Sequence, residues 1–231
     1  AVAVTDNEKI NAPINKQQRV NFLPLNDLQA VEKELAKGDV GSVIIEGIQG
    51  VGGLDQGSTE FFQDLEKICR RHGVVLILDE VQSGYGRSGQ FFAHQFHGIR
   101  PDMISPKFEA VFGMLGTTFG GNHLACAAGL AVLEIMEQEK LMENTRKVSD
   151  YIIERAQQLP QVKNIKGRGL MLGLEFDFEV AALRKQLIME GHIFTGSANN
   201  KKLLRILPPL TLQPKHVDLF FETLKRFLKA Q

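Results

Sequence analysis

The stretch VVLILDEVQSGYGRSG, Val74 to Gly89, decides the fold. Five apolar, mostly branched residues, Val74 to Leu78, read as a buried parallel strand, with Asp79 and Glu80 at its carboxyl end. In open α/β sheets the ligand crevice lies outside that end. A carboxylate backed by an apolar strand is placed there to meet a cationic group of a bound molecule. Gly84, Gly86 and Gly89 then supply a loop in which backbone can approach a ligand.

Upstream, Val43 to Ile45 form a second apolar strand that delivers Glu46 to the same edge. Ser58 caps a helix whose apolar residues, Phe61, Phe62, Leu65, Ile68 and Cys69, recur at helical spacing, and Gly73 stops it. Strand, helix and strand of these lengths make a right-handed βαβ unit, so the sheet is expected to be parallel and covered. Further back, residues 1 to 19 are polar and irregular, Val20 to Leu25 read as a short strand, and Asn26 is placed to cap a helix to Ala36 that Gly38 ends.

Downstream come a short aromatic segment, Phe91 to Phe96, and then Asp102 to Ser105. Asn122 starts a helix to about Gln138 that is apolar nearly all round and is therefore expected to be buried on every side. After that the chain changes character. Leu141 to Leu159 is an amphipathic helix closed by Pro160. Val162 to Ile165, Leu170 to Phe176 and Leu203 to Leu207 read as strands, with a helix from about Glu179 to Glu190. Val217, Phe220, Phe221, Leu224, Phe227 and Leu228 make one stripe on a last helix. The change places a domain boundary between residues 1–137, α/β with a mostly parallel sheet, and 138–231, a smaller α+β domain. No internal repeat or low-complexity tract interrupts the chain.

Lysine plus arginine equals aspartate plus glutamate at 27 each, a balance that argues against a nucleic-acid or acidic-membrane partner, since both need a basic face. Cys69 and Cys126 lie on different helices among apolar neighbours and read as reduced, buried thiols of a cytoplasmic protein. The most apolar stretch, Leu124 to Leu133, is too short to span a bilayer, and no secretory signal pattern opens the chain. It begins at Ala1 in mid-pattern, as a partial chain does. The histidines, His94 and His97 included, show no metal-ligand grouping, and no nucleophile elbow or evident triad is present.

Residues 84 to 89 spell G-x-G-x-x-G, with Asp102 where a ribose-binding acid would be sought. The dinucleotide fingerprint, however, needs its first glycine in the turn directly after the strand and a long helix opening on its last. Asp79 to Ser83 intervene here, and the following segment is short and aromatic, so that reading is rejected. GTTFGG, Gly116 to Gly121, offers hydroxyls and backbone N–H groups just before a helix start, a combination that suits a phosphate or simply a capped helix. Arg205, between leucines and before Pro208-Pro209, needs an anionic partner, either a ligand carboxylate or a buried acid.

LDEVQSGYGRSG resembles the central motif of the class III pyridoxal-phosphate aminotransferases that act on ω-amino groups, closest to the acetylornithine and ornithine aminotransferases. VIIEGIQGVGG, GTTFGGNHLACAAGLAVLE, RGRGLMLGLEF and LLRILPPL resemble four further blocks of that family, in order, over nearly the whole 231 residues. The resemblance implies a fold-type I transferase with pyridoxal 5′-phosphate as cofactor. In it Asp79 pairs with the pyridine nitrogen and keeps the ring protonated, the state in which it serves as an electron sink. Val81 packs on the ring, Gln82 reaches the ring hydroxyl and Glu46 supports the polar network beside them. Thr118 binds the cofactor phosphate of the partner subunit, which implies a homodimer with shared sites, and Arg205 holds the α-carboxylate of the amino acid. The implied reaction moves an amino group from N-acetylornithine, or a related acylated ornithine, to 2-oxoglutarate in arginine biosynthesis. Ornithine or 4-aminobutyrate as donor is the near alternative, and a non-catalytic dimeric remnant of the fold the distant one.

The chain departs from the family at three places. Gly47 stands where the family often has proline. Val51 stands where ornithine-type members commonly carry a glutamate that pairs with the arginine corresponding to Arg205. Most consequential, Ser105 runs straight into Pro106-Lys107-Phe108, so the Schiff-base lysine, its glycine loop and the next strand are missing, as is the family's N-terminal part. Lys107 aligns with an ordinary surface residue and is no substitute. Either ordered segments have been joined across a gap, in which case Ser105 and Pro106 are not peptide-bonded, or the chain is truly this short and does not catalyse.

Overall fold

The computed structural model describes residues 19–103 and 121–229. They form α1 (Leu28–Leu35), β1 (Ser42–Glu46), α2 (Thr59–His72), β2 (Val75–Asp79), a 3-10 helix (Ala93–His97), α3 (His123–Gln138), α4 (Leu141–Gln157), β3 (Asn164–Arg168), β4 (Met171–Glu175), α5 (Ala181–Met189), β5 (Leu203–Ile206) and α6 (Pro214–Leu228). The chain makes two compact units interleaved in sequence. Among the described residues one comprises 19–45, 57–78 and 97–103; the other comprises 46–56, 79–96 and 121–229.

In the first unit β1 and β2 are neighbours in a parallel sheet joined through α2. The Ser58 hydroxyl accepts from the Phe61 N–H at 3.1 Å and starts α2, and Gly73, at φ 69°, ends it in the left-handed conformation that glycine takes freely. Val31, Leu35, Phe62, Leu65, Leu76 and Leu78 fill the core beneath α1 and α2. Asp102 belongs to this core's scaffold. Its carboxylate accepts from the Leu76 N–H at 2.9 Å, and its own N–H donates to the Leu76 carbonyl at 2.8 Å, so no ribose-binding acid stands here.

Several expectations are corrected. Leu76 and Leu78 are buried but Val75 is 40% exposed and Ile44 42%, so no described element covers the second face of the β1–β2 sheet. Residues 20–25 form no strand. Asp27, not Asn26, caps α1, accepting from the Ala30 N–H at 2.9 Å; Asn26, at φ 65°, instead accepts from the Ser58 N–H at 2.9 Å. α3 starts at Asn122 as expected, its side chain accepting from the Ala125 N–H at 3.1 Å. Among its residues, however, only Met136 is buried, with Leu124 at 81% exposure, because the described neighbours meet it only towards its C-terminal end. Cys126 is exposed for the same reason, whereas Cys69 is buried and its thiol is pushed up to about 11 by desolvation, helped by the charge of Asp102.

The second unit is built on the antiparallel sheet β3–β4–β5. Successive strand residues face opposite sides. Leu172, Leu174 and Leu204 face the core that α4, α5 and α6 close with Val148, Ile152, Leu183, Leu187, Phe221 and Leu224. Met171 and Leu203 face the other side, where Ile48 and Leu54 of the Glu46–Gln56 segment pack on them. That alternation matters for function: Arg205 is two residues beyond Leu203 and lies on the side of the Glu46–Gln56 segment. The glycine loop after β2 is tied in as well, since the Leu170 N–H donates to the Arg87 carbonyl at 2.9 Å and Arg146 donates to the Gly89 carbonyl at 2.6 Å. No long helix opens on Gly89, only the 3-10 turn at Ala93, which agrees with the rejection of the dinucleotide reading. No helix of the described residues is long and apolar enough to cross a membrane.

Phe221 is fully buried among the helices of the second core. Truncation to alanine is expected to lower unfolding free energy by about 3–5 kcal/mol, read as a reduced urea midpoint at unchanged slope.

Candidate active site

The site lies within the second unit, to which Glu46, Asp79 and Arg205 all belong. Glu46 is half-buried, and one of its carboxylate oxygens accepts the Gly50 N–H at 2.8 Å. Burial pushes its pKa above the ordinary carboxylate value, and the charge of Asp79 adds to that; the Gly50 N–H and the cation of Arg205 pull the other way without prevailing. Asp79 Oδ1 accepts the Val81 N–H at 3.0 Å, which closes a tight turn, and no other hydrogen bond reaches its carboxylate among the described residues. It is thus both a loop cap and a carboxylate with one oxygen open. Beside it, Val81 is 91% exposed, an apolar side chain standing free at the mouth of the strand edge.

Arg205 forms no salt bridge among the described residues. Its Nη1 donates to the Gly50 carbonyl at 2.9 Å, and its Nε is buried with no partner. Desolvation lowers its pKa from the ordinary arginine value, and the nearby charge of Glu46 works in the opposite direction. The alternative of an ion pair with a buried acid is therefore not what the structure has. A guanidinium in this state is short of an anion, and its fork fits a carboxylate.

Gly50 is the residue that the sequence reading passed over. Its N–H is held by Glu46 and its carbonyl by Arg205, and a Cβ built on it would lie 2.5 Å from the Gln82 amide oxygen. One Cα therefore gathers Glu46, Arg205 and Gln82. The segment around it is braced: Gln49 N–H donates to the Asp55 carbonyl at 2.9 Å, and Asn199 N–H to the Val51 carbonyl at 2.9 Å. The signal in the sequence was the G-V-G-G run after Gln49, which marks a turn but does not say what the turn holds. Of the residues singled out from sequence, Glu46, Asp79, Gln82 and Arg205 come together here with Val81 at the rim. Thr118, Lys107 and the Ser105–Pro106 junction lie outside the described residues.

The pyridine nitrogen of pyridoxal 5′-phosphate calls for an acid, its ring for an apolar contact, and an amino-acid substrate for a cation. The open oxygen of Asp79, the bare Val81 and the guanidinium of Arg205, which forms no salt bridge among the described residues, are of the kinds that fit those three requirements. Among the described residues no group of three or more His, Cys, Asp or Glu side chains is placed to hold a metal.

The raised pKa of Glu46 has a definite sign in stability. A carboxyl that holds its proton more tightly when folded contributes stability below its unfolded value of 4.5, and that contribution disappears as pH climbs through the higher folded value. Glu46→Gln has no such loss. Its melting temperature relative to the parent is expected to rise as pH increases from 4.5 upward, as thermal melts across that range would show; a flat difference would contradict the assignment.

The family model of the class-III aminotransferases matches the chain in two stretches, residues 2–108 and 106–228. Their seam, at residues 106–108, adjoins the Ser105–Pro106 junction. The chain is 38% identical over 227 residues to an acetylornithine aminotransferase of Aquifex aeolicus, covering 90% of this chain and 59% of that protein. It is 33% identical over 238 residues to an acetylornithine aminotransferase of Archaeoglobus fulgidus, covering 94% and 62%. Among solved structures, the ornithine aminotransferase of Toxoplasma gondii ME49 superposes with a TM-score of 0.83 at 21% identity, over 100% of this chain and 62% of that one. N-acetylornithine aminotransferase of Stenotrophomonas maltophilia K279a does so at 0.76 and 26%, over 91% and 63%. The chain thus spans about 60% of the length of these relatives. It has their fold-type I α/β architecture, and the family works with pyridoxal 5′-phosphate. This chain belongs to the class-III aminotransferases.

Proposed function

We propose that the protein of which these residues form the matching part transfers the terminal amino group of N-acetylornithine, or a related acylated ornithine, to 2-oxoglutarate. One observation carries this reading: a guanidinium with no ion pair among the described residues shares a single glycine with a half-buried glutamate, at the edge where a strand-end aspartate keeps one oxygen open. When bound, pyridoxal phosphate supplies the electron sink for charge at the substrate carbon. Asp79 holds the ring nitrogen and its proton, Val81 packs on the ring, and Gln82 orients the ring hydroxyl. Glu46 supports that edge through Gly50, and Arg205 takes the α-carboxylate. We assign Thr118 to the cofactor phosphate of the partner subunit, in a cytoplasmic homodimer that contributes to arginine biosynthesis, with residues 1–137 in the cofactor-binding domain and 138–231 in the small domain.

A second reading has its own observation. No lysine of this chain occupies the family's cofactor-holding position, so a non-catalytic dimeric remnant that binds no cofactor is the competing outcome. Incubating the intact protein with pyridoxal phosphate, N-acetylornithine and 2-oxoglutarate separates the two: glutamate formation supports the first reading, and the absence of both bound cofactor and glutamate supports the second. Ornithine and 4-aminobutyrate, offered in parallel, identify the donor.

Arg205→Ala removes charge-assisted hydrogen bonds worth about 1.5–3 kcal/mol, so the KM for 2-oxoglutarate should rise roughly 10- to 150-fold. Cofactor affinity should stay close to the parent's. An unchanged KM would remove Arg205 from the carboxylate role.

A further inference from the structure

We propose that Glu80 is a positioning residue of this site: one buried carboxylate closes the loop after β2 and thereby fixes where Asp79 and Gln82 face. The inference rests on the reading of Asp79 and Gln82 as the cofactor edge.

The chain leaves β2 at Asp79, runs through the glycine loop and returns at the 3-10 helix. The Glu80 carboxylate fastens the return, beside the backbone bond from the Gly86 N–H to the Phe91 carbonyl at 3.3 Å. Its Oε2 accepts from the Ser83 hydroxyl at 2.5 Å and from the Ala93 N–H at 3.0 Å, and its Oε1 accepts from the His94 N–H at 2.9 Å with His94 Nδ1 at 3.2 Å. The backbone is held too, for the Gly84 N–H donates to the Glu80 carbonyl at 2.9 Å. A Cβ on Gly84 would lie 2.8 Å from that same carbonyl, so the close return requires glycine there. Consecutive residues of an extended chain face opposite ways. Glu80 is buried at 8% exposure, and this inward anchor sets the outward rotation of Asp79 before it and the course of Val81 and Gln82 after it.

Stability is a poor explanation for such a group. A buried carboxylate loses hydration, and an apolar residue of similar volume stabilises a core as well or better. What four directed bonds give, and an apolar residue does not, is a single orientation. Burial raises the Glu80 pKa, but the hydrogen bonds from His94, Ser83 and the two backbone N–H groups outweigh it and bring the pKa below the ordinary value, so the anchor stays charged. Among the described residues no arginine or lysine takes part in this anchor, and the loop's conformation therefore depends on short-range hydrogen bonds.

The test uses the intact protein and the variants Glu80→Gln and Ser83→Ala, at a temperature where circular dichroism shows all three folded. Glutamine presents an N–H group to one pair of donors, so the loop has to rearrange. Equilibrium dialysis is expected to show pyridoxal phosphate bound roughly 10-fold more weakly by Glu80→Gln, the low end of what supporting groups contribute at metal sites. Ser83→Ala, which removes one of the donors, should show a smaller loss in the same direction. Glutarate, a dicarboxylate probe of Arg205, should bind all three alike. Variants that melt earlier but bind the cofactor as the parent does would overturn the proposal and leave Glu80 a stability residue. If Glu80→Gln does not fold, unchanged cofactor binding by Ser83→Ala overturns it alone. A parent protein that binds glutarate but no pyridoxal phosphate would instead sink the reading of Asp79 as the cofactor's acid, and this inference with it.

Discussion

A carboxylate taken out of water must collect donors or give up its charge. The ends of β1 and β2 show three outcomes of that one constraint within a few residues. Glu80 collects two backbone N–H groups, a hydroxyl and a histidine, and its pKa falls. Glu46 has a single N–H, and its pKa rises. Asp79 spends one oxygen on a turn and keeps the other open. The gradation fits a division of labour in which the saturated acid holds the chain, the half-satisfied one responds to its surroundings, and the open one awaits a cation.

The second unit shows how a sheet can serve two purposes at once. One face of β3–β4–β5 carries the aliphatic core under three helices, which gives rigidity. The other face carries Met171 and Leu203 against Ile48 and Leu54, and this small cluster seats the loop that contains Gly50. Arg205 inherits its direction from strand alternation and its partner from that loop. Gly196 opposite it completes the arrangement, because a Cβ there would lie 3.0 Å from the Arg205 Nε.

Periodicity carried most of the elements. The α2 and α6 stripes, the Ser58 and Asn122 caps and the Gly73 stop were all legible, because each is a local rule with a local cause. What failed was inference from composition to surroundings. The α3 sequence is apolar nearly all round, yet composition does not say which residues stand next to it, and in this chain of about 60% of the relatives' length most of that helix is open. The alternation in β2, with Val75 open and Leu76 buried, was hidden for the same reason by a continuous apolar run. At the site, the charged residues announced themselves by type. Gly50 did not, since a glycine that makes room for a neighbour's amide looks like any turn glycine until the neighbour is placed.

Val51 then takes on meaning. The resemblance implies, for ornithine-type members, a glutamate at this position that pairs with the arginine. Here the side chain is apolar and 44% exposed, and the guanidinium rests on a neutral carbonyl instead. A carbonyl offers less to a cation than a carboxylate does, and the partly buried Arg205 has already lost hydration. An incoming carboxylate therefore displaces no anion and recovers interaction that the arginine lacks. In the proposed reaction, both substrates would then meet an arginine with no anion at position 51, and discrimination between them would come from elsewhere in the crevice.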